Sequence, residues 1–132
     1  MSLQRIAALA LLVDDYDRAI AYYTQVLGFR LVEDTAQGPD KRFVRVTPPG
    51  NGNTDLVLAK AAKPEQVARI GDQTGGRVFL FLETDDFRRD YGAYKSRGVD
   101  FIEEPREETY GTVVVFRDLY GNKWDLIQRR MD

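Results

Sequence analysis

The amino-acid sequence predicts an α+β fold made of two tandem βαβββ modules. Three observations carry that expectation. Short apolar runs of strand length alternate with two helix-length segments, each opened by an Asp pair and closed by a glycine. The order strand, helix, three strands occurs twice along the chain. The two copies also superpose at a nearly constant offset. Asp14-Asp15 falls on Asp85-Asp86 at 71 and Gly28–Glu33 on Gly98–Glu103 at 70. Pro49-Gly50-Asn51 falls on Tyr120-Gly121-Asn122 at 71 and Asp55-Leu56-Val57 on Asp125-Leu126-Ile127 at 70.

Each element has its own local reason. Ile6–Val13 is a continuous apolar run and reads as a buried strand. The Asp pair that follows offers a carboxylate to the unpaired amides of a first helical turn. From Tyr16 onward Ala19, Ile20, Tyr22, Tyr23, Val26 and Leu27 keep a helical period, and Gly28 suits the positive φ of a helix end. Strands are expected at Phe29–Glu33, Lys41–Thr47 and Asp55–Lys60, separated by turns at Gly38-Pro39 and Pro48–Asn53. Pro64 opens a short helix reaching about Ile70. The second copy gives a strand at Val78–Thr84, a helix at Phe87–Arg97 and a strand at Val99–Glu103. A loop at Pro105–Gly111, a strand at Thr112–Phe116, a turn at Asp118–Asn122 and a last strand at Lys123–Gln128 complete it.

Composition narrows the chemistry. The chain has 132 residues, enough for a core without covalent staples. With 19 basic and 21 acidic residues it carries a formal charge of -2, which argues against nucleic acid as a partner. No apolar run approaches bilayer length, so no membrane is expected and the cytoplasm is the expected address. Cysteine and histidine are both absent. That excludes disulfides, thiol nucleophiles, Ser-His-Asp triads and the H-E-x-x-H zinc site. Carboxylates, Tyr, Lys, Arg, Ser and Thr remain. The Arg88-Arg89 and Arg129-Arg130 pairs and the Glu103-Glu104 and Glu107-Glu108 pairs read as solvated surface. Met1-Ser2-Leu3 carries no fold or site signal.

Several strings occur together in order. They are Val13-Asp14-Asp15-Tyr16, Ala19-Ile20-Ala21-Tyr22-Tyr23, Val26-Leu27-Gly28-Phe29, and Phe116-Arg117-Asp118-Leu119-Tyr120-Gly121-Asn122-Lys123-Trp124-Asp125-Leu126. This set resembles the opening and ending motifs of the vicinal oxygen chelate superfamily, which holds glyoxalase I, extradiol dioxygenases, fosfomycin-resistance enzymes and bleomycin-resistance proteins. The resemblance covers about Ile6 to Gln128. It implies a single glyoxalase-like domain over residues 1–132. Module one would span about 5–60, a linker with a short helix 61–76, and module two about 77–130. Each module would be a curled mixed sheet flanked by a helix, and the concave faces would form a cleft for a ligand. Members are often homodimers, and the cleft can be shared between chains.

The enzymes of that superfamily chelate a divalent metal at four positions, two on first strands and two on last strands. Carried onto this chain, the first-strand positions fall on Ala8 and Phe79, and the last-strand positions on Asp55 and Asp125. Neither Ala8 nor Phe79 can ligate a metal. Two carboxylates hold a hard cation weakly and suit zinc or iron poorly. No cofactor is therefore expected, and the leading function is a small-molecule-binding protein that holds an organic ligand by apolar contact. Two alternatives stand beside it. One is a lyase, isomerase or dioxygenase-like enzyme using a carboxylate-only metal site at Asp55, Asp125 and Glu83, or Glu83 as a general base. The other is a non-catalytic regulatory module.

The ligand-binding candidates are Ala8, Arg45, Phe79, Phe81, Tyr110 and Asp125. Alternation puts Phe79, Phe81 and Glu83 on one strand face, where Glu83 would border an aromatic pocket and take a raised pKa. Otherwise Glu83 would end the strand in solvent or pair with Arg45 or Arg77. Arg45 shares a face with Phe43 and Thr47 and would clamp an anion there, or be exposed on the sheet. Tyr110 lies in a loop expected to contact the ligand. Trp124, one residue before Asp125, points the opposite way and would pack under the helix or at a subunit contact.

Overall fold

The computed structural model describes residues 2–131, so Met1 of the opening tripeptide and Asp132 lie outside it. The chain divides into two compact units, Met1–Ile70 and Gly71–Asp132, and the division falls inside the 61–76 segment. No helix among the described residues is long and apolar enough to cross a membrane.

The first unit holds β1 (Ala8–Val13), α1 (Tyr16–Ala21), β2 (Arg30–Ala36), β3 (Arg42–Thr47), β4 (Asp55–Lys60) and the short α2 (Pro64–Val67). Its sheet runs β1-β4-β3-β2. β1 lies parallel to β4, with Ala8 beside Asp55 and Val13 beside Lys60, and the remaining pairs are antiparallel. A parallel neighbour needs a crossover, and the helix and two intervening strands supply it. The second Asp of the pair is the cap: an Asp15 carboxylate oxygen accepts from the Arg18 amide at 2.8 Å. The helix does not continue as α to its end. Tyr22–Val26 widens to a π turn, with Leu27 N–H donating to the Tyr22 carbonyl. Thr24 donates its hydroxyl to the Ile20 carbonyl at 2.8 Å, the back-bonding that loosens helices. Gly28, at φ 74°, then turns the chain so that Phe29 packs on Tyr23 at 5.5 Å between ring centres.

One face of this sheet carries the core. Leu11, Val13, Val44, Val46, Leu56 and Leu58 alternate inward and are essentially fully buried, together with Tyr16, Ala19 and Tyr23 of the helical segment. The opposite face carries Ala8, Asp55, Val57, Arg45 and Glu33, which the pairing sets side by side.

The second unit holds β5 (Val78–Glu83), α3 (Phe87–Ser96), β6 (Asp100–Phe101), β7 (Arg106–Glu108), β8 (Gly111–Arg117) and β9 (Lys123–Arg129). The order β5-β9-β8-β6 repeats that of the first unit, with β5 parallel to β9. The mixed α+β architecture and the doubled βαβββ order are those the sequence predicts. Asp86 caps α3 by accepting from the Arg89 amide at 3.1 Å, and Gly98, at φ 84°, ends it. The core face is aromatic. Trp124, only 2% exposed, stacks on Phe116, whose ring meets Tyr94 of α3 and Phe101 of β6 edge-on.

Two departures from the sequence reading lie here. The expected strand Val99–Glu103 shrinks to Asp100–Phe101, because the Glu103 side chain, not its backbone, takes the Val115 amide, at 3.0 Å. Beyond Pro105, which has no amide to give a ladder, the expected loop contains β7, paired to β8 from Arg106↔Val113 to Glu108↔Gly111. The strand that is continuous as β2 in the first unit is thus split into β6 and β7 in the second.

The turn between β8 and β9 is organised by Asp118, 5% exposed. Its carboxylate accepts from the amides of Tyr120, Gly121 and Asn122 at 2.9–3.1 Å, from the Asn122 side-chain amide at 3.1 Å and from the Trp124 indole N–H at 3.3 Å. Asn122 in turn accepts from the Gln73 amide. Gly71, at φ 78°, passes so close that an added Cβ would stand 2.0 Å from the Tyr120 carbonyl oxygen. Asp118→Ala leaves several buried donors without an acceptor. We expect a loss of about 3 kcal/mol or more in urea unfolding, together with loss of the near-ultraviolet signal of Trp124.

Candidate functional site

The sheet face away from the helix is filled differently in the two units. In the first, Arg45 extends from β3 to two carboxylates. It forms a short ion pair with Asp55 on β4, and its Nε lies 3.1 Å from Glu33 on β2. Asp55 is 9% exposed and Ala8 stands beside it across the sheet. Ala8, Asp55 and Arg45, named separately from sequence, are therefore neighbours. The guanidinium is neither an anion clamp with a vacant fork nor a solvated surface arginine, because both acids already hold it.

In the second unit the corresponding face is open. A cleft of about 480 Å³ is lined by Val78, Phe81, Ile102 and Val115, with Arg77, Lys123 and Gly76 around them. The size falls in the range of small-molecule sites. Phe81 is 67% exposed, an unusual state for a phenylalanine in a strand. Asp125 lies directly between Phe81 on β5 and Val115 on β8. Its Oδ1 is closed to water and has no hydrogen-bond partner. Burial raises the pKa of this carboxyl above the usual range. Arg106 partly offsets that rise, and Glu103 adds to it. Arg106 itself is engaged by Glu103 at 3.1 Å and by a short pair with Glu108.

Register decides which of the expected residues join this site. Val78 pairs with Lys123 but Leu80 pairs with Trp124, so Phe79 is the extra residue of a bulge. Its ring turns edge-on to Trp124 at 6.2 Å, while Val78 lines the cleft. Strict alternation would have kept Phe79 with Phe81, and the bulge breaks it. The residue beside Asp125 is consequently Phe81, two positions past the one reached by counting back from the Asp pair. Glu83 is exposed at the end of β5, and its charged neighbour is Arg129 at 3.6 Å, not Arg45 or Arg77. The burial expected at Glu83 belongs to Asp125. Tyr110 is 45% exposed in the turn between β7 and β8, where its carbonyl accepts from the Arg130 amide. Arg77, Val78, Ile102, Val115 and Lys123 escaped the sequence reading. Cross-strand pairing from Asp125 would have found Val115, and same-face spacing would have found Lys123.

The donor set does not fit the divalent metal that the superfamily's enzymes chelate. Ala8 and Phe81 stand at the first-strand positions without a donor atom, and Asp55 is bound by a guanidinium. Among the described residues no group of three or more His, Cys, Asp or Glu side chains could hold a metal ion.

A family model for the Glyoxalase/Bleomycin resistance protein/Dioxygenase superfamily matches residues 5–126. A protein of Shewanella frigidimarina (strain NCIMB 400) is 56% identical over 95% of this chain and 93% of its own. Among solved structures, UcmS2 superposes with a TM-score of 0.82 at 31% identity, covering 96% of this chain and 98% of that one. TnmS3, an antibiotic-binding protein from Streptomyces sp. CB03234, superposes with a TM-score of 0.78 at 28% identity, covering 98% and 99%.

Two outcomes follow from the charges. Arg45→Ala strands the Asp55 carboxylate and should cost about 2–3 kcal/mol in chemical denaturation, whereas the paired change Arg45→Met with Asp55→Leu should recover most of that loss. Asp125 holds its proton more tightly in the folded than in the unfolded chain. Its contribution to stability therefore falls as pH rises from the ordinary carboxylate range through its raised pKa. Melting curves of Asp125→Asn recorded against pH should lack that decline.

Proposed function

This chain belongs to the glyoxalase/bleomycin resistance protein/dioxygenase superfamily, and we propose that it binds a planar, largely apolar organic molecule in the cleft of its second unit, without a chelated metal. The observation that carries this reading is the open cleft built around an exposed Phe81, with Val78, Ile102 and Val115 as its other apolar walls. Leaving a phenylalanine in water forgoes on the order of 1.5–3 kcal/mol of burial, which a flat ligand laid against the ring would recover. Arg77 and Lys123 at the same cleft suit an anionic or acceptor group on that ligand. The chemistry required is contact and hydrogen bonding, so the protein would act by holding the compound, either out of solution or ready for a partner. The antibiotic-binding role stated for TnmS3 is in keeping with such a task.

Titration with 2-naphthoate, followed by calorimetry, tests this. Saturable binding is expected, unchanged by EDTA and weakened about fivefold or more by Phe81→Ala, a change at an exposed position that leaves the fold intact. Absence of saturable binding across a panel of planar aromatic acids would remove the reading.

A further inference from the structure

The two units answer one question differently: what neutralises the carboxylate on the last strand? At an offset of 70, Glu33 and Asp55 recur as Glu103 and Asp125, while Arg45 between them is replaced by Val115. In the first unit Arg45 Nη1 donates to the Asp55 carboxylate. In the second, the residue facing the carboxylate from β8 is Val115, and Arg117, on the same face of β8, is drawn to Asp100 at 3.4 Å. The shorter β8–β9 turn brings Asp125 directly opposite Val115, yet valine offers only a methyl surface. Arg106, which enters from β7, is spent on Glu103 and Glu108. Asp125 Oδ1 is left closed to water and without a donor.

From this internal comparison we propose that the Asp125 carboxylate is a subsite for a hydrogen-bond donor on the ligand, a hydroxyl or amine that takes on Asp125 the place Arg45 takes on Asp55, and that the small Val115 leaves that place without an internal partner. The inference rests on the binding reading above and deepens it. It defines the ligand class as a flat apolar body with a donor at one point and an acceptor or anionic group at another. The donor meets Asp125 between Phe81 and Val115, and the acceptor meets Arg77 and Lys123. Asp125 and Lys123 lie two residues apart on β9 and share a face; Lys123 lines the cleft, and Asp125 lies beneath it, covered by the cleft residues Phe81 and Val115 on either side. Because Asp125 Oδ1 is closed to water, the donor reaches it only if a covering side chain moves, and that movement falls to the Phe81 ring, which is largely in solvent.

The test compares 2-naphthoate with 6-hydroxy-2-naphthoate, which adds only the donor. The parent protein is expected to bind the hydroxylated probe about tenfold more tightly, one charge-assisted hydrogen bond. Asp125→Ala is expected to abolish that preference, so that the ratio of the two affinities falls to about one. Val115→Arg supplies the missing internal partner and reads the same idea without relying on the stability of the Asp125 variant. It should raise the melting temperature by a few degrees and remove the preference. Equal affinity of the parent for both probes, or a preference that survives in Val115→Arg, overturns the donor subsite and leaves the binding function standing. Failure of the parent to bind either probe overturns the binding function itself.

Discussion

The Asp118 carboxylate is the constraint on which the second unit depends. It collects three successive backbone amides, a side-chain amide and the indole N–H of Trp124 around one buried charge. A buried anion is tolerable only when its lone pairs are so occupied, and each of those donors would be orphaned without it. The consequence is a five-residue turn between β8 and β9 that fixes their register. That register sets Asp125 opposite Val115, and the parallel pairing of β9 with β5 sets it beside Phe81. The chemistry of the cleft is therefore decided by a residue that does not line it. The first unit uses a longer turn, Pro48–Thr54, in which Asn53 donates its side-chain amide to the carbonyls of Pro48 and Pro49. Its last strand starts two residues later relative to the third strand, and Asp55 lies diagonal to Arg45 instead of directly across from it.

The contrast between the units is one of packing as much as of charge. A long arginine on this sheet face covers its neighbours and satisfies the acids around it. The Glu33–Arg45–Asp55 set makes the first face an interior of its own kind, held by geometry that contributes little net stability but is costly to break on one side only. A valine at the matching position leaves both volume and an unpaired carboxyl oxygen. The split of β6 from β7 adds to this. Glu103 leaves the ladder to cap the Val115 amide, which exposes Ile102 to the cleft, and Pro105 sends Arg106 across to the next segment. The second face is thus open because of three local choices, at Val115, Glu103 and Pro105, each of which departs from its counterpart in the first unit.

Most of the fold was legible because its signals are local. The Asp pairs, the closing glycines and the β4 limits Asp55–Lys60 depend on a few adjacent residues, and the repeat at 70–71 doubled the Asp pairs and the glycines. The π turn at Tyr22–Val26 was not legible, since helical periodicity over five residues does not separate 3.6 from 4.4 residues per turn. The candidate site was legible as residue types more than as a place. Asp125 and Phe81 could be named, and Arg45 could be placed on a face with its neighbours. Which of Val78, Phe79 and Phe81 face the cleft turns on one bulge, and a bulge is a property of two strands together. The partners of Arg45 and Glu83 were hidden for the same reason, because they lie across strands whose register the sequence does not print.

A chain without histidine cannot present the superfamily's usual ligand set, and the positions of that set show what the scaffold does with them instead. The first-strand position of the first unit is Ala8, small enough to lie beside the Arg45–Asp55 pair without crowding it. In the second unit the same register position is Phe81, which turns a place for a metal ligand into an apolar platform. The two last-strand carboxylates survive, one matched by a guanidinium from its own sheet and one left unmatched. An acid kept unpaired and partly desolvated tends to destabilise the folded chain. Substituting Asn or a larger neighbour would relieve it without disturbing the sheet. The unpaired Oδ1 is therefore hard to explain as scaffolding: it lies between Phe81 and Val115, on a sheet face where the first unit sets Arg45 against its own carboxylate.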